Sequence, residues 1–452
     1  MDQMEPAHGE INAVSSSETA NTPDFQKLRE SMQATQRLWE AVPLKSRLRV
    51  IRRFRKCLWR DIATLTSLIP DQRPLDIVSA EILPLHAAAG FLLREAPSLL
   101  RDVPLSVFGR PFWLRGVSSL IRRRAIGTIL ILAPGNYPLM LAGVQVLQAI
   151  AAGNTVVLKP APGRTAITAR FLALLERADL PRGVVHLLPE EYGPQASEAG
   201  FDLIILTGSA QTGRAVAQAA ARTLTPTIME LSGADPVFVL PSASIDLVAR
   251  ALHFGLTLKS GETCIAPRRV FIDEARRDAL EKALAALFAQ DRQTSQTPPS
   301  QALAALSTTI SENGGALRHV GDATIFTLNA AQASLVDVDC FAPWLALISV
   351  ASMAQAAEID RNARHALSAS VFGAEKEAKA LAAQLSANTI CINDLIVPSA
   401  DPRLPFGGRK TSGYGMTRGR EGLLAMTRPV GISIRKRMAW HLLPATRRFH
   451  AR

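Results

Sequence analysis

Three tyrosines, five tryptophans and four cysteines are few for a chain of 452 residues, and each shortage excludes something. The cysteines (Cys57, Cys264, Cys340, Cys391) lie far apart and form no C-x-x-C pair. This excludes a zinc ribbon and a disulfide framework, and fits a reducing cytoplasm. The eight histidines have no H-x-x-H spacing, so no metal is assigned. No run approaches the ~20 uninterrupted apolar residues of a membrane-spanning helix. The N-terminus lacks the basic start and apolar block of a secretion signal. With scarce aromatic side chains for base stacking and no binding motif, no nucleic-acid partner is expected, although the formal net charge is +12.

What is present is a globular composition, 48% apolar and 20% charged, long enough for two or three domains. The charge is unevenly placed. Residues 1–24 carry five acids and no Lys or Arg, which reads as a disordered leader. Two stretches concentrate the bases. In Ser46–Arg60 (SRLRVIRRFRKCLWR), Leu48, Ile51, Leu58 and Trp59 share one side of an expected helix bordered by arginines. Arg435–Arg452 interleaves six bases with Trp440, Leu442, Leu443 and Phe449. Basic amphipathic segments suit an anionic bilayer. Two readings stay open: a solvated helix face at the first stretch and a frayed terminus at the second, or a C-terminal tail in peripheral contact with the inner face of a membrane, in an otherwise cytoplasmic protein.

From Arg124 onward, short β-branched runs alternate with periodic helices. GTILILAPG, NTVVLKPA, GVVHLLP, FDLIILTGS and TIMELSG read as strands, with helices at Arg164–Leu180 and Gln211–Leu224. A second alternating block follows Asp235: PVFVL, helix Ser244–Lys259, RRVFI and helix Ala275–Gln290, then a polar connector at Gln293–Ser300. The pattern predicts an α/β fold of two doubly wound parallel sheets with a cleft between lobes. Ligands bind such sheets at the carboxyl ends of the strands. The turns after Leu132, Lys159, Thr207 and Leu231 are thus the places to search.

Four segments at those turns carry candidate chemistry, each weak alone. Thr207–Gly213 (TGSAQTG) lacks the Lys-Ser/Thr ending of a P-loop. Its Gly208-Ser209 pair before a helix N-terminus still suits a pyrophosphate. Met229–Gly233 places Glu230 at the end of an apolar strand, where a raised pKa suits a general base. Pro134–Pro138 offers the Asn136 amide beside a strand end, and Ser260–Cys264 presents a thiol after a Gly-containing turn.

In the order Asn136, Lys159, Ser209, Glu230, Cys264, followed by Leu404–Gly415 (LPFGGRKTSGYG), the chain resembles the aldehyde dehydrogenase superfamily from about Gln33 to Ile434. INDLIVPSADPRLPFGG and TPTIMELSG are most similar to the class 3 branch, which favours medium-chain, fatty and aromatic aldehydes. The resemblance implies that an apolar aldehyde is oxidised to its acid with NAD or NADP. Cys264 would be the nucleophile, Asn136 an oxyanion donor and Glu230 the base for the hydrolytic water. Lys159, Gly208, Ser209, Gly213, Asp339 and Phe341 would meet the cofactor. It further implies a cofactor-binding domain at 25–230, a catalytic domain at 231–415, and a return segment, ribbon strand and basic tail at 416–452. A small β-ribbon that includes 118–124 would support a homodimer.

The chain departs from the family pattern at several points. Asp339 stands where a glutamate holds the nicotinamide ribose, Ser232 where a glycine is usual, and Gly135 where a tryptophan is usual, which predicts a looser oxyanion turn. Pro162 replaces an acid that grips the ribose 2′-hydroxyl, and Arg164 beside it suits a 2′-phosphate. The stretch from Gln290 to Asp339 is short. Two other readings stay open: acyl-CoA reduction within the same superfamily, and a non-catalytic, membrane-associated relative. Cys57, Cys340 and Cys391 read as packing, and Tyr414 as a turn residue.

Overall fold

The computed structural model describes residues 23–290 and 300–436. Most of the expected leader and the basic tail beyond Lys436 lie outside the described residues, as does all but the last residue of the polar connector. Asp24 belongs to the fold, capping helix Phe25–Ala41 by accepting the Lys27 amide at 3.1 Å.

The first sheet has six strands, in the order Gly413–Tyr414, Thr227–Leu231, Leu203–Gly208, Thr128–Leu132, Thr155–Lys159, Val185–Leu187. All are parallel except the first, which returns from the far end of the chain. Strand Thr128–Leu132 is buried at every position. Such continuous apolar runs mark parallel sheets covered on both faces. Helices Met140–Ala152 and Thr165–Arg177 belong to the larger core, and Ala210–Ala221 packs into a second cluster.

The second sheet runs Ala316–Val320, Ala323–Asn329, Trp344–Val350, Pro267–Asp273, Asp235–Val239, Ser368–Phe372, Thr389–Ile392. Only Ala316–Val320, at its edge, is antiparallel. Among its described residues, the short Gln290–Asp339 stretch is spent on helix Gln301–Glu312 and the two strands Ala316–Val320 and Ala323–Asn329 at one end of the sheet. The ribbon has three strands rather than two. Val117–Ala125 pairs along its length with Thr427–Arg435, and Val103–Pro104 adds to its other side.

Two sequence expectations change. Helix Leu44–Arg60 forms, but Trp59 is 51% exposed and leans on His86, while Phe54 fills the buried face. The apolar stripe follows positions 51, 54 and 58, and residue 59 falls off it. That stripe packs inside the first lobe, so this helix offers no apolar face to a bilayer. Second, the helical stretch Pro74–Leu99 is long and apolar enough, by length and composition, to cross a membrane. Over half of its apolar window is buried in the lobe, and it carries Asp76 and Glu81, so it is a core helix here.

Helix Met140–Ala152 ends at Gly153 with φ +97°, and a Cβ there would stand 3.3 Å from the Glu40 backbone. Gly153→Ala should cost about 1–3 kcal/mol and lower the thermal midpoint by a few degrees. Gly431→Ala, with open space around it, should leave the midpoint unchanged in the same scan.

Candidate active site

The parallel strands of the first sheet end on one edge, where a cleft of about 820 Å³ opens. It runs from Lys159, Gly208 and Ser209 to Asn136, Glu230, Cys264 and Phe341. The four segments expected to act together thus converge from both lobes.

At one end, Ser209 caps helix Ala210–Ala221, accepting the Thr212 amide at 3.2 Å. The free N–H groups of that first turn border the cleft and suit a pyrophosphate. Lys159 is half-buried, and burial holds its ammonium below the usual lysine range against the pull of Glu190. Gly213 does not line the cleft. A Cβ there would meet the Leu231 side chain at 2.7 Å, so this glycine seats the helix on the sheet. Asp339 is also absent from the lining, although Phe341 is present. Cys340 and Ala342 are fixed in the second lobe's core, and the Asp339 charge acts on buried Arg268 and on Cys340 instead.

At the other end, Cys264 sits on the loop before strand Pro267–Asp273, against Ile265, Leu367 and Phe406. Burial pushes its thiol well above the usual range; Glu230 and Asp235 add to the rise, and Arg418 opposes it. Glu230 is buried, and its Oε2 accepts the Thr417 hydroxyl at 2.8 Å. Its Oε1 is buried without a partner among the described residues. Burial raises this carboxyl, while Arg418 and Thr417 pull it down. Asn136 donates from Nδ2 to the Glu262 carbonyl at 3.0 Å, and its Oδ1 accepts the Tyr137 amide. One Nδ2 hydrogen is left for a substrate oxygen.

A scan against family models matches the aldehyde dehydrogenase family over residues 1–431. The chain belongs to the aldehyde dehydrogenase family. Among its relatives, 4,4'-diapolycopene aldehyde oxidase of Methylomonas sp is 28% identical over 89% of this chain and 80% of its own. The 4,4'-diapolycopene-4,4'-dial dehydrogenase of Cytobacillus firmus is 31% identical over 69% of this chain and 73% of its own. Geranial dehydrogenase of Castellaniella defragrans is 28% identical over 86% of each chain. The fold matches that of a Mycobacterium tuberculosis aldehyde dehydrogenase solved with NAD+ (TM-score 0.81, 22% identity, 90% of this chain and 89% of that one). It also matches an NADP-dependent glyceraldehyde-3-phosphate dehydrogenase from Bacillus halodurans solved with NADP (TM-score 0.80, 23% identity, 91% of each).

Within this aldehyde dehydrogenase, several residues that shape the site escaped sequence reasoning. Arg418 is buried, donates to the Ser399 carbonyl at 3.0 Å and lies 3.8 Å over the Phe406 ring. Its neighbour Thr417 holds Glu230. In a glycine-rich return segment, Thr-Arg reads as surface, so only the fold reveals their role. Lys259 is the second. Its Nζ pairs with Glu81 at 2.8 Å, donates to the Asn136 carbonyl, and sits 3.7 Å over the Tyr137 ring.

The Gly135 turn is not loose. The Arg164 Nε holds the Gly135 carbonyl at 3.0 Å, while its two terminal nitrogens are spent on Asp71. Arg164 is therefore engaged in pinning the turn, not free to bind a 2′-phosphate. Ser232 is buried, with its carbonyl accepting the Ser412 hydroxyl at 2.8 Å.

Because the neutral thiol is favoured, alkylation of Cys264 by iodoacetamide should rise with pH through pH 9 and show no plateau at neutrality. Arg418→Met removes the opposing positive charge, and should slow alkylation at every pH by about tenfold. A plateau near neutral pH in the parent enzyme would contradict this electrostatic picture.

Proposed function

We propose that this enzyme oxidises an apolar aldehyde to the carboxylic acid, using NAD+ or NADP+ and a covalent Cys264 intermediate. The observation that carries the reading is the meeting of Cys264, Glu230 and Asn136 in one cleft with the helix N-terminus at Ser209.

The residues present suit a dinucleotide: amides and Ser209 for the pyrophosphate, Lys159 for the adenine-side ribose, and Phe341 beside the nicotinamide ribose. When bound, the oxidised nicotinamide supplies the hydride acceptor. The chain's own residues do the rest. Glu230 takes the thiol proton as the Cys264 sulfur adds to the aldehyde carbon. The Asn136 amide and the Cys264 N–H hold the oxygen of the resulting thiohemiacetal. After that carbon has lost its hydride and Glu230 has released the thiol proton to solvent, the Glu230 carboxylate takes a proton from water. The hydroxide adds to the thioester, and the carbon–sulfur bond breaks to release acid and free thiolate. The unpartnered Oε1 of Glu230 is available to accept that water.

The apolar preference rests on the relatives, three of which are named for diapolycopene aldehydes or geranial. The open edge of strand Thr427–Arg435 is where a second copy of the chain would add to form the expected dimer.

Reduced-nicotinamide absorbance should grow with octanal, hexadecanal or a polyene aldehyde and stay flat with Cys264→Ala. Glu230→Gln should keep a first-turnover burst and lose about 10²–10⁴-fold in steady-state rate. Turnover that survives in Cys264→Ala would overturn the covalent reading. A burst-and-stop parent enzyme that CoA restarts would replace hydrolysis by acyl transfer.

A further inference from the structure

The ribbon ends in a loop that the catalytic reading does not use. Its base is fixed by the Leu105 amide on the Ser119 carbonyl at 2.8 Å and by the Arg110 guanidinium on the Val117 carbonyl. Beyond that base the side chains turn outward. Val107, Phe108, Phe112 and Trp113 are 63%, 90%, 84% and 67% exposed, with Phe112 and Trp113 packed edge to face at 5.3 Å. Single exposed apolar residues are ordinary, but a contiguous aromatic cluster marks a surface that something covers.

The charge around the cluster has one sign. Residues 101–124 and 427–436 hold nine Lys and Arg but one acid, Asp102, which Arg122 neutralises. Arg115 and Lys436 are exposed and form no ion pair with the other described residues. The Lys436 amide donates to the Gly116 carbonyl at 3.1 Å, so the C-terminal strand ends beside the aromatic loop. The sequence that follows adds Arg437, Trp440, Leu442, Leu443, Arg447, Arg448 and Phe449.

We propose that the loop 105–115, with the bases flanking it, docks this enzyme on an anionic lipid bilayer. Aromatic rings are favoured at the headgroup boundary, where an apolar body and a wet edge are both satisfied. Bases beside them gain from the negative surface potential of anionic lipid. A second copy would add along the strand edge at Thr427–Arg435; at the loop tip itself it is the poorer occupant, because a two-fold contact there would set Arg110 and Arg115 against their own copies, and interface cores are depleted of charge. The proposal stands independently of the reaction.

The test is co-sedimentation of the full chain with vesicles of phosphatidylcholine alone or mixed with phosphatidylglycerol. Binding should need phosphatidylglycerol, weaken with salt, and fall at least about tenfold in Phe108→Ser/Phe112→Ser/Trp113→Ser. Light scattering should show the same mass for parent and variant. In the parent, brominated lipid should quench a fluorescence component that Trp113→Phe removes. Unchanged partitioning of the triple variant, or no quenching that depends on Trp113, would overturn the proposal. So would a change in oligomeric state, which would make the loop a subunit contact.

Discussion

The active site depends on one buried ion pair. Lys259 and Glu81 meet at 2.8 Å with neither side chain exposed to solvent. Each has further work. The second Glu81 oxygen accepts the amides of Leu139 and Met140, at 2.9 Å each, and so caps the helix behind the oxyanion turn. Lys259 reaches the Asn136 carbonyl from the other lobe, and its backbone amide is held by Asp76. Removing one partner of such a pair strands the other charge, at a cost of about 3–5 kcal/mol. The pair therefore ties the core helix, the Asn136 turn and the segment leading to Cys264 into one unit. Lys259 keeps φ +51° to do so, a conformation that non-glycine residues adopt only where surroundings impose it.

Burial works against the charged form of both reacting groups, raising the Cys264 thiol and the Glu230 carboxyl, and the Glu230 and Asp235 carboxylates discourage the thiolate further. Arg418 is the counterweight. Its charge favours both the thiolate and the carboxylate, while Phe406 and Ser399 hold the guanidinium in place. A buried cation with an unpartnered Nε is costly unless it serves such a purpose. Asp235, also buried and raised by its surroundings, adds a second acid near the sulfur.

Much of the fold was legible because parallel α/β units write themselves locally. TVVLK and FDLIILTGS are buried strands between periodic helices, and the observed ends differ from the expected ones by a few residues. Cys264, Glu230 and Asn136 were legible through turn position and family resemblance, and they meet in the cleft. Illegible were the contacts made across the chain. Lys259 reads as a solvated base in sequence, and its burial depends on Glu81, 178 positions away. Arg418 meets Glu230 only because Gly413–Tyr414 adds to the first sheet as an edge strand. Gly213 looked like a phosphate contact, because spacing does not show which side of a helix a glycine faces. Arg164 looked free because Asp71, its partner, is 93 residues away.

The central claim is that Glu81 and Lys259 act as one unit on the Asn136 turn. The most direct test is a double-mutant cycle on kcat/KM for aldehyde oxidation, with Glu81→Gln, Lys259→Met and the pair together. Thermal midpoints read in parallel would separate lost fold from lost positioning. The account predicts that each single change costs activity and that the double variant recovers part of it, with a coupling of about 0.5–3 kcal/mol. Losses that simply add, or full activity in Lys259→Met, would contradict it.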